Sequence, residues 1–473
     1  MTATAALTLA GCAVGPDYHT PVAPTGADGP WRMAEAARTA RTDPPDDWWR
    51  LYNDPRLDGY VTQAFAANHD LAAAEANLSA SRAILSAARA GRYPSTTTVA
   101  GGVYGRDAVT GEILGILGHK NETIWKYDDL LDVSYELDLF GRVKRSVEAA
   151  GADAGAVAAA RDAVKVTVAA ETTRAYVSIC ALGEEIAVTQ HALAVVTDQD
   201  DITRRRQAAG EASEFDLARS ATLVAQVRST LPPLEGQRRS ALLELTALLG
   251  KTPAEAPREA LTCAAPPQLG SSIPVGDGAG LLARRPDIRE AERRLAGATA
   301  RVGVATADLY PRITLSGFYG GAAGDTGALL EEKGLTWGVG PSISWNFPNQ
   351  AAVRARVRAS KAGAAAALDL FDSAVLRGLK ETEQSLSAYS AELDRRRALG
   401  DAQTQARRAF GLAEGQVRAG AISALDLLTT EQQLVAADAA VAGSDAALAQ
   451  DQVAAFKALG GGWRSDSKPP AAR

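Results

Sequence analysis

The sequence predicts a mainly α-helical chain with a smaller membrane-spanning β part, built as two similar halves. Three observations lead to this fold class. A motif of Gly, Ser, Asp and Leu occurs twice, since Gly210 and Gly420, and likewise Leu217 and Leu427, are 210 positions apart. Helical periodicity covers most of the chain, and short stretches of alternating periodicity follow the first helix of each half.

The duplication extends over most of the chain. Tyr93-Pro94 corresponds to Tyr310-Pro311 at an offset of 217 positions. We therefore expect a first structural repeat over 46–273 and a second over 274–463, each with a helix, two strands and two further long helices. A duplicated array of helices alone is the alternative, but the strand regions do not suit such an array.

Composition and charge exclude several classes of protein. The 473 residues carry a formal net charge of −6, and the dispersed basic residues argue against nucleic acid as a partner. Three widely spaced cysteines form neither a metal-binding nor a redox pattern, and four isolated histidines indicate no metal site. We find no nucleophile elbow, phosphate loop or carboxylate pair in the sequence, so no motif indicates an enzyme. The sequence contains no run of about 20 apolar residues, which a transmembrane helix needs. Any membrane-spanning part is therefore expected to be β.

The N-terminus indicates a lipoprotein. A short apolar run ends in Leu9-Ala-Gly-Cys12, and small residues before a cysteine resemble the lipobox of an acylated protein. We expect a signal peptide over 1–11, a covalent lipid on Cys12 in place of any cofactor, and a lipidated, extended linker over 12–45. No basic residue precedes the apolar run, as if the true start lay upstream. An ordinary N-terminal cysteine is the alternative.

The first half begins with a helix whose apolar positions, from Leu57 to Leu85, recur at spacings of three, four and seven. This helix should end before Pro94. From Ser95 the period changes to two, and the return strand alternates between an apolar face and a polar face. The apolar positions are Leu131, Val133, Tyr135, Leu137 and Leu139.

The strands of the second half repeat this pattern. The last strand alternates from Trp337 to Phe347 and carries aromatic residues at both ends of its apolar face. Such a face is typical of a membrane β-barrel, and a half-buried soluble sheet is the alternative. Four strands cannot close a barrel, for which about eight is the minimum. Because open edges are not tolerated in lipid, several chains must contribute to one barrel.

Long helices follow the strands. Helical periodicity resumes at Arg142 and continues for roughly 65 residues, or about 100 Å. Gly210 supplies the next turn, and Ser213 or Glu214 can cap the helix after it. Pro232-Pro233 is expected to interrupt or kink that helix.

The stretch Leu282-Ala-Arg-Arg-Pro-Asp-Ile-Arg-Glu-Ala-Glu292 resembles the outer-membrane lipoprotein channels of resistance–nodulation–division efflux systems, the nodulation-type branch of the TolC superfamily. Other segments agree with the resemblance over nearly the whole chain, namely Cys12–Tyr18, Ser134–Arg142, Gly303–Ile313 and Phe456–Trp463. The resemblance implies a homotrimer. Each chain would give four strands to a 12-stranded β-barrel and long helices to a periplasmic α-barrel.

The resemblance also implies a function. The chain would be the exit duct of a tripartite efflux pump, lipid-anchored in the outer membrane and passively exporting small molecules through a helical iris at its periplasmic tip. The implied partners are a periplasmic adaptor protein, an inner-membrane pump of the resistance–nodulation–division type and outer-membrane lipid. An envelope-spacing coiled-coil lipoprotein without transport activity is the alternative. The tail over 464–473 is expected to be disordered.

The two helical turns are the implied periplasmic tip. The residues expected to form the turns and to contact the adaptor are Gly210, Ser213, Asp216, Gly420 and Ser423. By the resemblance Leu425 falls at an apolar constriction, and Thr429 occupies the position of an acidic ring that is frequent in the family. Asp426, beside the constriction, is another source of negative charge. A solvated carboxylate at a helix start is the alternative for both Asp426 and Asp216.

Overall fold

The computed structural model describes residues 13–106, 116, 118, 123–270 and 272–462. The helices are α1 (Pro55–Ala67), α2 (His69–Ala90), α3 (Arg142–Ala208), α4 (Glu214–Leu248), α5 (Gly278–Arg284), α6 (Pro286–Ala307), α7 (Ala351–Arg418) and α8 (Ala424–Ala458). The strands are β1 (Ser95–Gly105), β2 (Ile124–Leu137), β3 (Arg312–Ala323) and β4 (Leu335–Ser344). The order α2-β1-β2-α3-α4 recurs as α6-β3-β4-α7-α8, which confirms the predicted internal duplication.

The chain divides into two compact units, and each draws on both halves of the sequence. The sheet unit comprises Met1–Pro21, Leu78–Val157 and Ala291–Phe371. The helical unit comprises Val22–Asn77, Ala158–Glu290 and Asp372–Arg473. The division therefore separates the strand regions from the helical turns, and it does not follow the boundary between the repeats.

The sheet unit holds one antiparallel sheet in the order β1-β2-β3-β4. Leu131 of β2 lies opposite Tyr319 of β3, which lies opposite Trp337 of β4, so one apolar row crosses three strands. This face is exposed, since Trp337, Val339 and Ile343 keep 69%, 72% and 69% of their surface accessible. A half-buried soluble sheet would cover its apolar face, so that alternative does not describe this one.

The last strand is shorter than its alternation predicts. β4 ends at Ser344, which lies opposite Arg312, the first residue of β3, so no ladder partner remains beyond it. Trp345 and Phe347 follow the strand with stacked rings whose centroids are 4.6 Å apart. Trp345 Nε1 donates a hydrogen bond of 3.0 Å to the Leu309 carbonyl. The predicted aromatic end of the face is thus present just outside the strand.

The predicted first helix is divided in two at Asn68. The Asn68 backbone is extended, with φ −68° and ψ 124°. Its side-chain oxygen accepts a hydrogen bond of 3.0 Å from the Leu71 amide, and its amide group donates to the Leu248 carbonyl at 3.3 Å. Asparagine competes with the helix through such local bonds. The prediction of one uninterrupted helix was therefore wrong.

α4 continues through Pro232-Pro233, so the predicted interruption does not occur, and the kink given as its alternative stays a prediction. Both prolines are exposed, so water can satisfy the two carbonyls that lose their amide donors.

One helix, α3, contains an 18-residue window that is apolar enough to cross a membrane, judged by length and composition alone. Core helices of soluble proteins pass the same criterion, so this window is weak evidence for a span.

The segment over 22–45 is packed within the helical unit and is not an extended linker. The Ala40 amide donates to the Ile273 carbonyl at 2.8 Å, and the Val275 amide donates back to Ala40 at 2.9 Å. The buried Trp31 donates through Nε1 to the Val275 carbonyl at 3.1 Å. Burial of this indole offsets the entropy lost by ordering the segment, which composition alone did not reveal.

A disulfide joins Cys180 of α3 to Cys263, across 83 residues. The sequence interpretation found no redox pattern in the three cysteines and missed this bond. Beside it Arg238 donates to the carbonyls of Ile179 and Cys263 at 3.0 and 2.7 Å. Such a bond is typical of an oxidising compartment outside the cytoplasm.

Candidate functional site at the helical turns

The α3–α4 turn (209–213) and the α7–α8 turn (419–423) have the same backbone geometry. Gly210 and Gly420 have φ of 78° and 71°, in the left-handed region that favours glycine. The Glu211 amide donates to the Arg206 carbonyl at 2.8 Å, and the Ala421 amide donates to the Gln416 carbonyl at 2.9 Å. These bonds satisfy carbonyls at the helix C-termini, so each turn closes its helix through its glycine.

Both following helices begin with a capping box. Ser213 and Ser423 accept hydrogen bonds from the amides of Asp216 and Asp426 at 3.1 and 3.3 Å. Each aspartate accepts in return from the serine amide, at 3.0 and 3.1 Å. The Ser213 and Ser423 hydroxyls also donate to these carboxylates at 2.7 Å, and the bonds from the hydroxyl and the serine amide together hold the pKa of both aspartate carboxyls below its usual value. Both carboxylates therefore cap a helix start. A further role of Asp426 at the constriction stays a prediction.

The residues expected at the constriction lie on the first two turns of α8. Asp426 and Thr429 are exposed. The Leu425 side chain lies outside the described part of the chain. A constriction formed by these three residues stays a prediction.

An apolar group of side chains, here called the tip cluster, connects α8 to the α3–α4 hairpin. Its buried members are Ala192 and Val196 of α3, Leu223, Val224 and Val227 of α4, and Leu428 of α8. Leu193 and Val435 pack against it. Because Leu428 lies two residues after Asp426, packing in this cluster positions the start of α8.

Two carboxyl groups are buried in this region. Asp200 accepts a hydrogen bond of 2.5 Å from the Ser220 hydroxyl and pairs with Arg204 at 2.7 Å. Glu431 is 2% exposed, and its Oε2 has no hydrogen-bond partner among the described residues. Burial and the nearby Glu414 raise the pKa of Glu431 to about 7. The sequence interpretation missed Glu431, although a glutamate within an apolar helical stripe was a visible signal.

The lipidation candidate Cys12 lies outside the described residues, but the segment after it is fixed within the sheet unit. The Val14 amide donates to the Phe140 carbonyl at 3.1 Å. Arg145 pairs with Asp17 at 2.7 Å, and the Tyr18 hydroxyl donates to Glu292 at 2.9 Å. Burial and Glu292 raise the pKa of Tyr18 to about 12, so this hydroxyl keeps its proton.

The chain is similar to known outer-membrane proteins over nearly its full length. It is 31% identical over 461 residues to the pyoverdine export outer membrane protein OpmQ of Pseudomonas putida, covering 95% of each chain. It is 29% identical to the probable efflux pump outer membrane protein TtgC of Pseudomonas putida, covering 98% of this chain and 95% of that protein. The outer-membrane channel OprN shares 34% identity and superposes with a TM-score of 0.88, over 95% of this chain and 99% of OprN.

A family model described as outer membrane efflux protein matches the chain twice, over residues 60–251 and 280–461. The two matches together cover more than half of the chain, and each falls on one of the structural repeats. The expected resemblance to the family, the mainly helical fold class and the efflux function in the outer membrane are thereby confirmed. The chain belongs to the family of outer membrane efflux proteins, and it serves as the efflux channel of the outer membrane.

Proposed function

We propose that the chain forms the passive exit duct of a tripartite efflux pump and gates it at the helical turns. The exposed apolar face of the sheet carries this proposal, because Trp337, Val339 and Ile343 would be unfavourable in water and favourable against lipid. Trp337 and Trp345 lie eight residues apart, which is about 26 Å at roughly 3.3 Å per residue. Strands of such barrels are tilted by about 35–45°, so this length covers roughly 20 Å of an apolar band about 25 Å tall.

The edges of the sheet support an oligomer. Among the described residues β1 and β4 each have one partner strand, and an unpaired edge cannot face lipid. Two chains would supply eight strands and three would supply twelve, both enough to close a barrel. The resemblance to the family supports three, so we take the duct to be a homotrimer.

The docked segment after Cys12 supports a lipid anchor. Ala13 is so close to Gly141 that an added Cβ on Gly141 would lie 2.6 Å from the Ala13 Cβ. Gly141 lies in the short connection between the end of β2 at Leu137 and the start of α3 at Arg142, so the chain leaves position 13 beside one end of the sheet. An acyl group on Cys12 would therefore start near the membrane surface and could insert without unfolding this segment.

The helical turns offer a surface to a periplasmic adaptor. Phe215, in the first turn of α4, keeps 66% of its surface exposed, with the Arg219 guanidinium 5.7 Å from its ring centre. An exposed aromatic residue beside a cation is the kind of anchor that protein interfaces use. The adaptor would link the duct to an inner-membrane pump of the resistance–nodulation–division type, which supplies the energy. A ligand that binds the open form of the turns preferentially would dilate them.

Single-channel conductance in a planar bilayer tests the proposal. We expect small, rarely open currents from the wild type and larger, more frequent currents from Leu425→Ala combined with Asp426→Ala. The matched control is Phe215→Ala combined with Asp216→Ala, which removes the same capping box from the twin turn and should leave the currents near those of the wild type.

Absence of current from all three proteins, together with extraction as a soluble monomer, would contradict the duct and favour an envelope-spacing lipoprotein. Equal increases in current from both double variants would contradict a constriction at the second turn.

A further inference from the structure

Glu431 is a buried carboxyl group that the capping boxes and the tip cluster do not account for. It lies on α8, is 2% exposed, and its Oε2 has no hydrogen-bond partner in the described part of the chain. Leu428 and Val435, three residues before it and four after it, lie on the same side of the helix and pack in the tip cluster. Glu431 therefore lies in the seam between α8 and the α3–α4 hairpin.

The surroundings of Glu431 oppose its ionised form. Among the described residues, Glu414 of α7 is the charged group that acts on it, and Glu414 pairs with Arg418 at 3.5 Å. On α3, Asp200 pairs with Arg204 and accepts a hydrogen bond from Ser220 of α4. Each of these acidic groups is paired with its own arginine, and Glu431 has no ion pair among the described residues. An ionised carboxylate without a partner is costly in apolar surroundings, so the packed arrangement favours the neutral acid.

We propose that Glu431 is a proton-operated latch, whose neutral form keeps α8 packed on the α3–α4 hairpin and whose ionisation favours the separated, open arrangement. The inference rests on the proposed function, which puts the constriction six residues earlier on the same helix. Movement of α8 away from the hairpin would carry the constriction residues with it. Glu431 is thus a positioning residue for the gate and does not line the duct.

The direction of the pH effect follows from proton linkage. In the packed arrangement the pKa of Glu431 is about 7, and a carboxyl that becomes solvated on separation returns towards the ordinary value of 4.5. Between these values the packed form binds more protons, so a rise in pH shifts the equilibrium towards separation. For one group with these two values the ratio of separated to packed forms increases about tenfold from pH 6 to pH 8.

Hydrogen–deuterium exchange of the full chain in lipid nanodiscs tests the latch directly. The readout is the opening constant of the α8 peptide over 424–435 at pH 6 and pH 8, corrected for the intrinsic pH dependence of exchange. We expect about a tenfold rise in the wild type and no rise in Glu431→Gln, which remains neutral at both pH values. The matched control is Glu185→Gln, which neutralises a half-buried glutamate of α3 and should behave as the wild type does.

Glu414→Gln provides a second variant if Glu431→Gln fails to fold. Removal of the neighbouring charge should lower the pKa of Glu431 in the packed arrangement and so make the rise of the opening constant between pH 6 and pH 8 smaller than in the wild type. An unchanged pH profile would overturn the latch. An equal pH response in the wild type and Glu431→Gln would overturn it as well. Single-channel currents are recorded from the same proteins. If no protein conducts, the proposed duct fails, and the exchange data still decide whether Glu431 controls the packing of α8.

Discussion

Leu315 offers a direct test of whether the exposed face of the sheet meets lipid. It lies on the central strand β3, opposite Tyr135 of β2 and Pro341 of β4, and keeps 43% of its surface accessible. Tyr319 lies four residues further along the chain and Tyr310 five residues before, at about 13 and 17 Å for a rise of roughly 3.3 Å per residue. Leu315 therefore lies near the middle of the apolar band.

The perturbation is Leu315→Arg. At the midplane of a bilayer an arginine on the lipid face costs about 2–4 kcal/mol, which lowers the ratio of folded to unfolded protein about 30- to 900-fold. In water the same change at a half-exposed position would stay within about 0.5 kcal/mol. The magnitude therefore distinguishes a lipid-facing sheet from a sheet in solvent.

Ser316→Arg is the matched control, because it lies on the same strand at nearly the same depth and faces the opposite side. Ser316 lies opposite Gly340 of β4. A Cβ added to Gly340 would meet no atom within 4 Å, so the space beside Ser316 can accept an arginine side chain. Unfolding of both variants by guanidinium chloride from lipid vesicles, followed by tryptophan fluorescence, measures the difference. Equal midpoints for the two variants would refute the assignment of the apolar face to lipid.

Two further predictions concern the helical unit. Replacement of both Cys180 and Cys263 by alanine removes a link across 83 residues, which the chain-entropy relation values at about 4.5 kcal/mol. We expect the double variant to unfold at a lower temperature than the oxidised wild type, and at about the same temperature as wild type whose disulfide has been reduced. Unchanged midpoints would contradict this role of the disulfide. Gly420→Ala should destabilise the α7–α8 turn by about 1 kcal/mol because its φ is 71°, whereas Gly415→Ala within α7 should be stabilising. Hydrogen exchange around the turn compares the two alanine variants, and effects of the same sign would contradict the backbone explanation.

The elements that were predictable depend on short-range signals. The two turns were predictable from Gly210 and Gly420 and from the serine three residues before an aspartate. The hydrogen bonds that form each turn and its capping box join residues at most five positions apart. The faces of β2 and β4 follow from alternation, since successive side chains of a strand point to opposite sides. The length of α3 follows from uninterrupted periodicity.

The elements that were missed depend on long-range partners. Asn68 divides the first helix partly because its amide group reaches Leu248, 180 residues later in the chain. Trp31 fixes the segment over 22–45 because Val275 presents a carbonyl to it. No local pattern identifies such partners, because the same residues are compatible with a helix interior or a solvated linker.

The sequence by itself determined the duplication, the four strands, the long helices and the two capped turns, because each of them arises from periodicity or from bonds between near neighbours. The tertiary structure alone decided the pairing of Cys180 with Cys263, the exposure of the apolar face of the sheet and the burial of Glu431. Burial depends on which helices and strands pack together, and that is set by contacts between residues far apart in the chain. The proton affinity of Glu431 therefore belongs to the packed seam and not to the residue.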